Sequence, residues 1–290
     1  MASAVKSPKR RLSKLVNAAG VVAFTWDDFF LVSSSVTQDP SRLVLVGGQA
    51  LEAWGVFLGV LAPTGDQHPL TEDTDWLGSA RDAEWLGKLL GTQRAIEIQK
   101  PQLGDASSNT AIMYLEGAEG GVLWMDFLSS VTGLTDQEIT KYAVQVDIPA
   151  KDLASSGVSI RVLHPIHCLA SRMANLETHE KKRRGNGPMQ AQWAVDIVAA
   201  FLVAMVASRD ERQVRRACEM VAELAEFKSG RYCFFAYGID PLVAVSPEVV
   251  TAGGARFASD DWPRTLARID RKRQRWALID EQRSAKKASS

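Results

Sequence analysis

The chain has 290 residues, is 46% apolar and 23% charged, and has a formal net charge of zero at pH 7. Those values belong to an ordinary globular chain of one or two domains, and they exclude a global field favouring nucleic acid, which would have to be bound by local patches. Cys168, Cys218 and Cys233 are the only cysteines and are not spaced for metal, so they read as reduced thiols of a cytoplasmic protein.

Residues 1–14 are basic and polar. Lys9-Arg10-Arg11 leads into an apolar stretch that Asn17 interrupts and Trp26-Asp27-Asp28 ends, which reads as a basic helix start rather than a secretory signal. A helix is expected over 12–36, broken near Gly20, with Thr25 as an N-cap. Asp39-Pro40-Ser41 turns into a short buried strand, Leu43 to Val46, which stops at Gly47-Gly48. Gln49 to Leu58 follows as an amphipathic helix, then a loop with Pro63 and Gly65, then a second strand beginning near Asp73. Ser79 with Asp82 resembles a capping box for a helix to Leu90. Further strands are expected at 94–99, 110–115, 122–128, 142–148 and 158–163, the second and third joined as a hairpin by Gly117 to Gly121.

From Pro165 the pattern becomes helical, with helices over 166–176, 189–207, 211–227 and 263–283, the last capped by Asp261. Glu180 to Pro188 reads as a charged loop. Gly230 to Val250 reads as irregular, with Tyr232, Phe234, Phe235 and Tyr237, rings that could stack bases but are more often used in core packing. The apolar run Ala194 to Ala207 contains Asp196 and is too short to cross a bilayer. The expected fold class is α+β: a mixed sheet flanked by helices over 1–163, then a helical domain over 164–290.

Asp73 and Asp75 carry the chemistry that is most legible. Side chains at i and i+2 of a strand share a face, so both carboxylates can aim at one point. Paired carboxylates are hard oxygen ligands suited to Mg²⁺. Gly47-Gly48, at a strand-to-helix turn, lets backbone approach a phosphate at a helix N-terminus. Asp126 stands in an otherwise apolar strand, Val122 to Leu128, where a carboxylate needs a partner or a metal. The competing reading of Asp126 is a turn cap at Ser129-Ser130.

Val46-Gly47-Gly48 and Asp73-Thr74-Asp75 together resemble the nucleotidyltransferase superfamily that includes DNA polymerase β. Gly47-Gly48-Gln49-Ala50-Leu51 resembles its bacterial abortive-infection and toxin branch. The gap from Gly48 to Asp73 is longer than that family's usual spacing, and Pro69 stands where it often has an arginine. The resemblance implies Asp73, Asp75 and Asp126 as the catalytic, metal-binding triad. It implies Gly47, Gly48, Thr71, Arg172, Lys182 and Asp196 as nucleotide contacts, with Arg172 one turn after Pro165 and Lys182 within the cluster Lys181 to Arg184. His164 and His167 lack a third ligand at metal spacing. The implied activity is Mg²⁺-dependent transfer of a nucleoside monophosphate from an NTP (ATP among them) to an acceptor hydroxyl. RNA or tRNA is the favoured acceptor, with a protein or small molecule as alternatives. The competing function is a nucleotide- or RNA-binding partner without turnover in a toxin–antitoxin or defence system, with an antitoxin as its protein partner. No membrane association is expected.

Overall fold

The computed structural model describes residues 11–63, 73–102, 108–148 and 157–288. Two compact units divide the chain: 1–50 with 66–131 and 135–163, and 51–65 with 132–134 and 164–290.

The first unit is built on a seven-stranded mixed sheet. Its elements are α1 (Leu12–Ala19), α2 (Trp26–Val36), β1 (Val44–Val46), the first turn of α3 (Gly47–Leu58), β2 (Asp73–Leu77), α4 (Ala80–Leu90), β3 (Ile96–Gln99), β4 (Asn109–Glu116), β5 (Val122–Leu128), α5 (Asp136–Tyr142), β6 (Val144–Ile148) and β7 (Val158–Val162). The strand order is β3-β4-β5-β2-β1-β7-β6. β2 runs parallel to β5 and antiparallel to β1, which runs parallel to β7; the outer pairs are antiparallel hairpins. Period-two patterning sets the faces. Thr74 and Trp76 of β2, with Leu123, Met125 and Phe127 of β5, are buried on one face, leaving Asp73, Asp75, Trp124 and Asp126 half-buried on the other.

Local signals in the sequence place most boundaries. Thr25, Ser79 and Thr135 each close a reciprocal capping box, with Asp28, Asp82 and Glu138. The Thr135 box starts α5, a helix not expected from the sequence although its Thr-x-x-Glu signature is present. Asp28 also fastens α2 to the sheet, accepting from Arg94 and from the Ala118 amide. Burial alone would raise its pKa, but the hydrogen bonds from Thr25, Arg94 and Ala118 outweigh that and hold it below the usual carboxylate range.

The second unit is helical. It comprises the rest of α3 and α6 (Pro165–Thr178), α7 (Glu180–Arg183), α8 (Gly187–Val206), α9 (Glu211–Glu226), α10 (Lys228–Tyr237), a 3₁₀ turn at Pro241–Ala244, α11 (Pro247–Ala252), a π turn at Phe257–Asp261 and α12 (Trp262–Ala288). Two expectations are corrected here. Glu180 to Arg183 is a helical turn rather than a loop. Gly230 to Val250 is largely helical, with α10 ended by Gly238 in a left-handed conformation (φ 68°) and followed by the 3₁₀ turn and α11.

α8 is longer than its apolar run suggested. Among the described residues it is the one helix long and apolar enough to cross a membrane by length and composition. Its Ala191, Trp193, Ala194, Val195, Ile197, Val198 and Leu202 are buried.

Candidate functional site

β2 and β5 are paired in parallel with Asp75 opposite Asp126 and Asp73 opposite Trp124. Because Asp73, Asp75 and Asp126 all lie on the half-buried face, their carboxylates converge, and ligand oxygens of all three lie within 4.8 Å of one another. The expected convergence on one face is therefore observed. Three carboxylates this close repel in a half-buried site, and a divalent cation relieves that repulsion. The donor set is three hard oxygens, which fits Mg²⁺ or a similar ion.

Two further side chains hold the third acid. Asn109 Nδ2 donates to Asp126 Oδ1 at 2.7 Å and Trp124 Nε1 donates to the same oxygen at 2.8 Å. Asn109 comes from the neighbouring β4, next to a register irregularity at Asn109/Ala111. Trp124 lies two residues before Asp126, on the same face. Neither was singled out from the sequence. Trp124 carried a local signal in that spacing; Asn109 is brought in only by the β4–β5 pairing.

α1 covers the same face beside the triad. Leu12 is buried with Tyr114 and Val122, and Val16, Ile112 and Trp124 pack around them. Ser13 fixes the helix there, its amide and hydroxyl donating to Glu97 at 3.0 and 2.6 Å. Burial raises the Tyr114 pKa, and the charges of Glu97 and Asp126 raise it further, so its phenol stays protonated across the physiological range.

Gly47 is shaped by Asp75. It adopts φ +71°, and a Cβ built there would lie 1.9 Å from Asp75 Oδ2. Only glycine lets the start of α3 pass this close to the carboxylate. Behind the strand, Gln49 of α3 accepts a hydrogen bond from the buried Thr74 hydroxyl, tying the Gly-Gly turn to β2 between the two acids.

The remaining expected residues lie outside the described residues or in the second unit. Thr71 lies outside the described residues. Arg172, Lys182 and Asp196 belong to the second unit. Arg172 on α6 donates to Gln190 Oε1 at 3.1 Å. Lys182 is exposed on α7. Asp196 is exposed on α8, yet partial desolvation raises its pKa against an opposing hydrogen bond from Gln192. Among the described residues it pairs with neither Arg172 nor Lys182. Two cations of the Lys181–Arg184 cluster have partners of their own. Arg183 donates to the Leu176 and Glu177 carbonyls and lies over the Tyr232 ring, and Arg184 pairs with Glu180.

His164 and His167 are ring neighbours at 5.6 Å. Burial, with the neighbouring His167 adding to it, pushes the His164 pKa down to about 3, so His164 is neutral. Its Nδ1 accepts from the Ile166 amide and caps α6.

No protein-family model matches the chain, and no curated protein matches it. Among solved structures the chain is similar to the Megavirus polyadenylate synthase, with 10% identity and a TM-score of 0.32. That similarity covers 69% of this chain and 36% of the viral one, so the chain spans little more than a third of that protein's length.

Proposed function

We propose that the chain is a metal-dependent nucleotidyltransferase. The observation that carries this reading is the convergence of Asp73, Asp75 and Asp126 within 4.8 Å on one face of the sheet, beside the Gly47-Gly48 turn. The three carboxylates would hold Mg²⁺, which when bound neutralises phosphate charge and activates a hydroxyl. Gly47-Gly48 presents backbone amides at the start of α3 to the phosphate tail. Asp126, held by Asn109 and Trp124, would be the acid nearest the acceptor and would receive its proton. The acceptor oxygen bonds to the α-phosphorus as the bond to pyrophosphate breaks, and the proton leaves toward Asp126. Little covalent work falls to the protein, so positioning and charge neutralisation carry the rate.

The resemblance to the nucleotidyltransferase superfamily also proposes Arg172, Lys182 and Asp196 as nucleotide contacts. Arg172→Gln should then weaken NTP binding without changing metal binding. It further proposes an RNA acceptor such as tRNA, and a setting in a toxin–antitoxin or defence system.

The deciding experiment incubates the protein with each α-labelled NTP, Mg²⁺ and total RNA, then follows label into RNA and protein. Transfer that is lost in Asp126→Asn supports the enzyme. NTP·Mg²⁺ binding with no label in any acceptor would leave a nucleotide-binding protein without turnover.

A further inference from the structure

We infer that Tyr114 is a positioning residue of the metal site, holding the Trp124 indole so that its N–H stays aimed at Asp126. The register of the sheet sets up the chain of contacts. Glu97 of β3 lies opposite Tyr114 of β4, Tyr114 opposite Trp124 of β5, and Trp124 opposite Asp73 of β2. Residues directly opposite one another in a sheet share a face, so these four side chains form a row across four strands on the face of the triad. Trp124 belongs to two sets at once. It donates to Asp126 Oδ1 at 2.8 Å, and its ring meets Tyr114 edge-to-face, with centroids 5.3 Å apart and planes at 80°.

The indole needs such a neighbour. Rotation of an aromatic ring about its Cβ–Cγ bond is broad and roughly two-fold. A half-buried tryptophan can therefore turn over, which would carry Nε1 away from the carboxylate. An edge-to-face contact biases one of two orientations by about two- to tenfold. Tyr114 can exert that bias because it is itself fixed. It is 5% exposed, closed in by Leu12 of α1 and by Val122. At the far end of the row the Ser13 amide and hydroxyl donate to the two carboxylate oxygens of Glu97, which pins α1 over Tyr114.

A tyrosine that only fills space beneath α1 would affect stability and leave the acids alone. The contact with Trp124 adds a path from Tyr114 to Asp126 through a single hydrogen bond. As a statement about metal binding the inference rests on the transferase reading; the hold of Tyr114 on Trp124 does not.

The test compares Tyr114→Leu, Tyr114→Phe, Trp124→Phe and the double variant Tyr114→Leu/Trp124→Phe in the full chain. In calorimetric titrations with Mn²⁺, Tyr114→Leu should weaken binding by about two- to tenfold, and Tyr114→Phe, which keeps the ring, should restore it. In the Trp124→Phe background Tyr114→Leu should cost less than about twofold more, because its effect runs through the indole N–H. Leu115→Ala, next to Tyr114 on β4 but on the buried face, should lower the melting temperature and leave metal affinity unchanged. Isotope-labelled tryptophan gives a metal-free readout by NMR, the Trp124 indole N–H being the resonance lost in Trp124→Phe. Its exchange with solvent should quicken by about two- to tenfold in Tyr114→Leu and stay slow in Tyr114→Phe. Should Tyr114→Leu fail to fold, Glu97→Ala, which removes both Ser13 bonds, must produce the same two changes in smaller size. Wild-type metal affinity or wild-type indole exchange in Tyr114→Leu overturns the inference, as does a full additional loss of affinity in the double variant. If the wild type binds no Mn²⁺, the transferase reading fails, and indole exchange alone decides whether Tyr114 holds Trp124.

Discussion

Replacing Gly47 by alanine probes the closest approach at the triad. Two costs are superimposed there. The first is conformational: a φ of +71° costs a residue with a Cβ about 1–2 kcal/mol. The second is steric, because the new Cβ would stand 1.9 Å from Asp75 Oδ2 and 2.7 Å from its Cγ, so either the carboxylate or the α3 turn has to move. Gly59 separates the two. It has a nearly identical φ of +68°, and a Cβ there meets nothing within 4 Å. Gly59→Ala should therefore cost about 1–2 kcal/mol in a denaturant titration and leave metal binding unchanged. Gly47→Ala should cost more than Gly59→Ala and should also weaken Mg²⁺ or Mn²⁺ binding in a calorimetric titration, because Asp75 no longer meets its partners. If Gly47→Ala matches Gly59→Ala in stability and binds metal like the wild type, the turn does not shape the triad and the argument is wrong.

The other expectations concern the acids and their supports. Asp126→Asn should abolish transfer and the Mg²⁺-dependent rise in melting temperature, while the metal-free protein melts at or above the wild-type temperature because one repelling charge is gone; a large loss of metal-free stability would make Asp126 structural. Asn109→Ala and Trp124→Phe each remove one hydrogen bond to Asp126 Oδ1, and each should weaken metal binding by about 10- to 100-fold in a calorimetric titration. In the pH dependence of folding, His164 resists protonation down to about pH 3, whereas the unfolded chain takes up that proton near about pH 6.5. Its contribution to stability is therefore intact above about pH 6.5 and falls as pH drops toward 3, at up to about 1.4 kcal/mol per pH unit. His164→Gln should flatten the denaturant midpoint across that window, and an unchanged profile would show that His164 is solvated. Asp28 acts at lower pH: its depressed pKa gives stability that is present above about pH 4 and lost as pH falls further, and Asp28→Asn should remove that loss.

The sequence by itself determined what depends on near neighbours along the chain. Alternation of period two put Asp73 and Asp75 on one face of a strand, and the same alternation set Asp126 apart from Met125 and Phe127. The N-cap at Thr25 and the capping box of Ser79 with Asp82 marked helix starts because such signals lie within four residues. The same Thr-x-x-Glu pattern stands at Thr135 and Glu138. The tertiary structure decided everything that depends on pairing between strands. Only the β2–β5 register sets Asp75 opposite Asp126, since a one-residue slip would turn Asp126 to the buried face. Asn109 reaches Asp126 from seventeen residues away through an antiparallel partner strand, and no local pattern encodes that meeting. The need for glycine at 47 arises from a side chain twenty-eight residues later, so a Gly-Gly pair reads as a phosphate turn until Asp75 is placed beside it. Burial likewise had to be seen rather than read: the aromatics of α10 have a composition suited to a core, but packing buries only Gly230 and Cys233 of that helix, because a helix shows each neighbour one face and the aromatics stand mainly on the others.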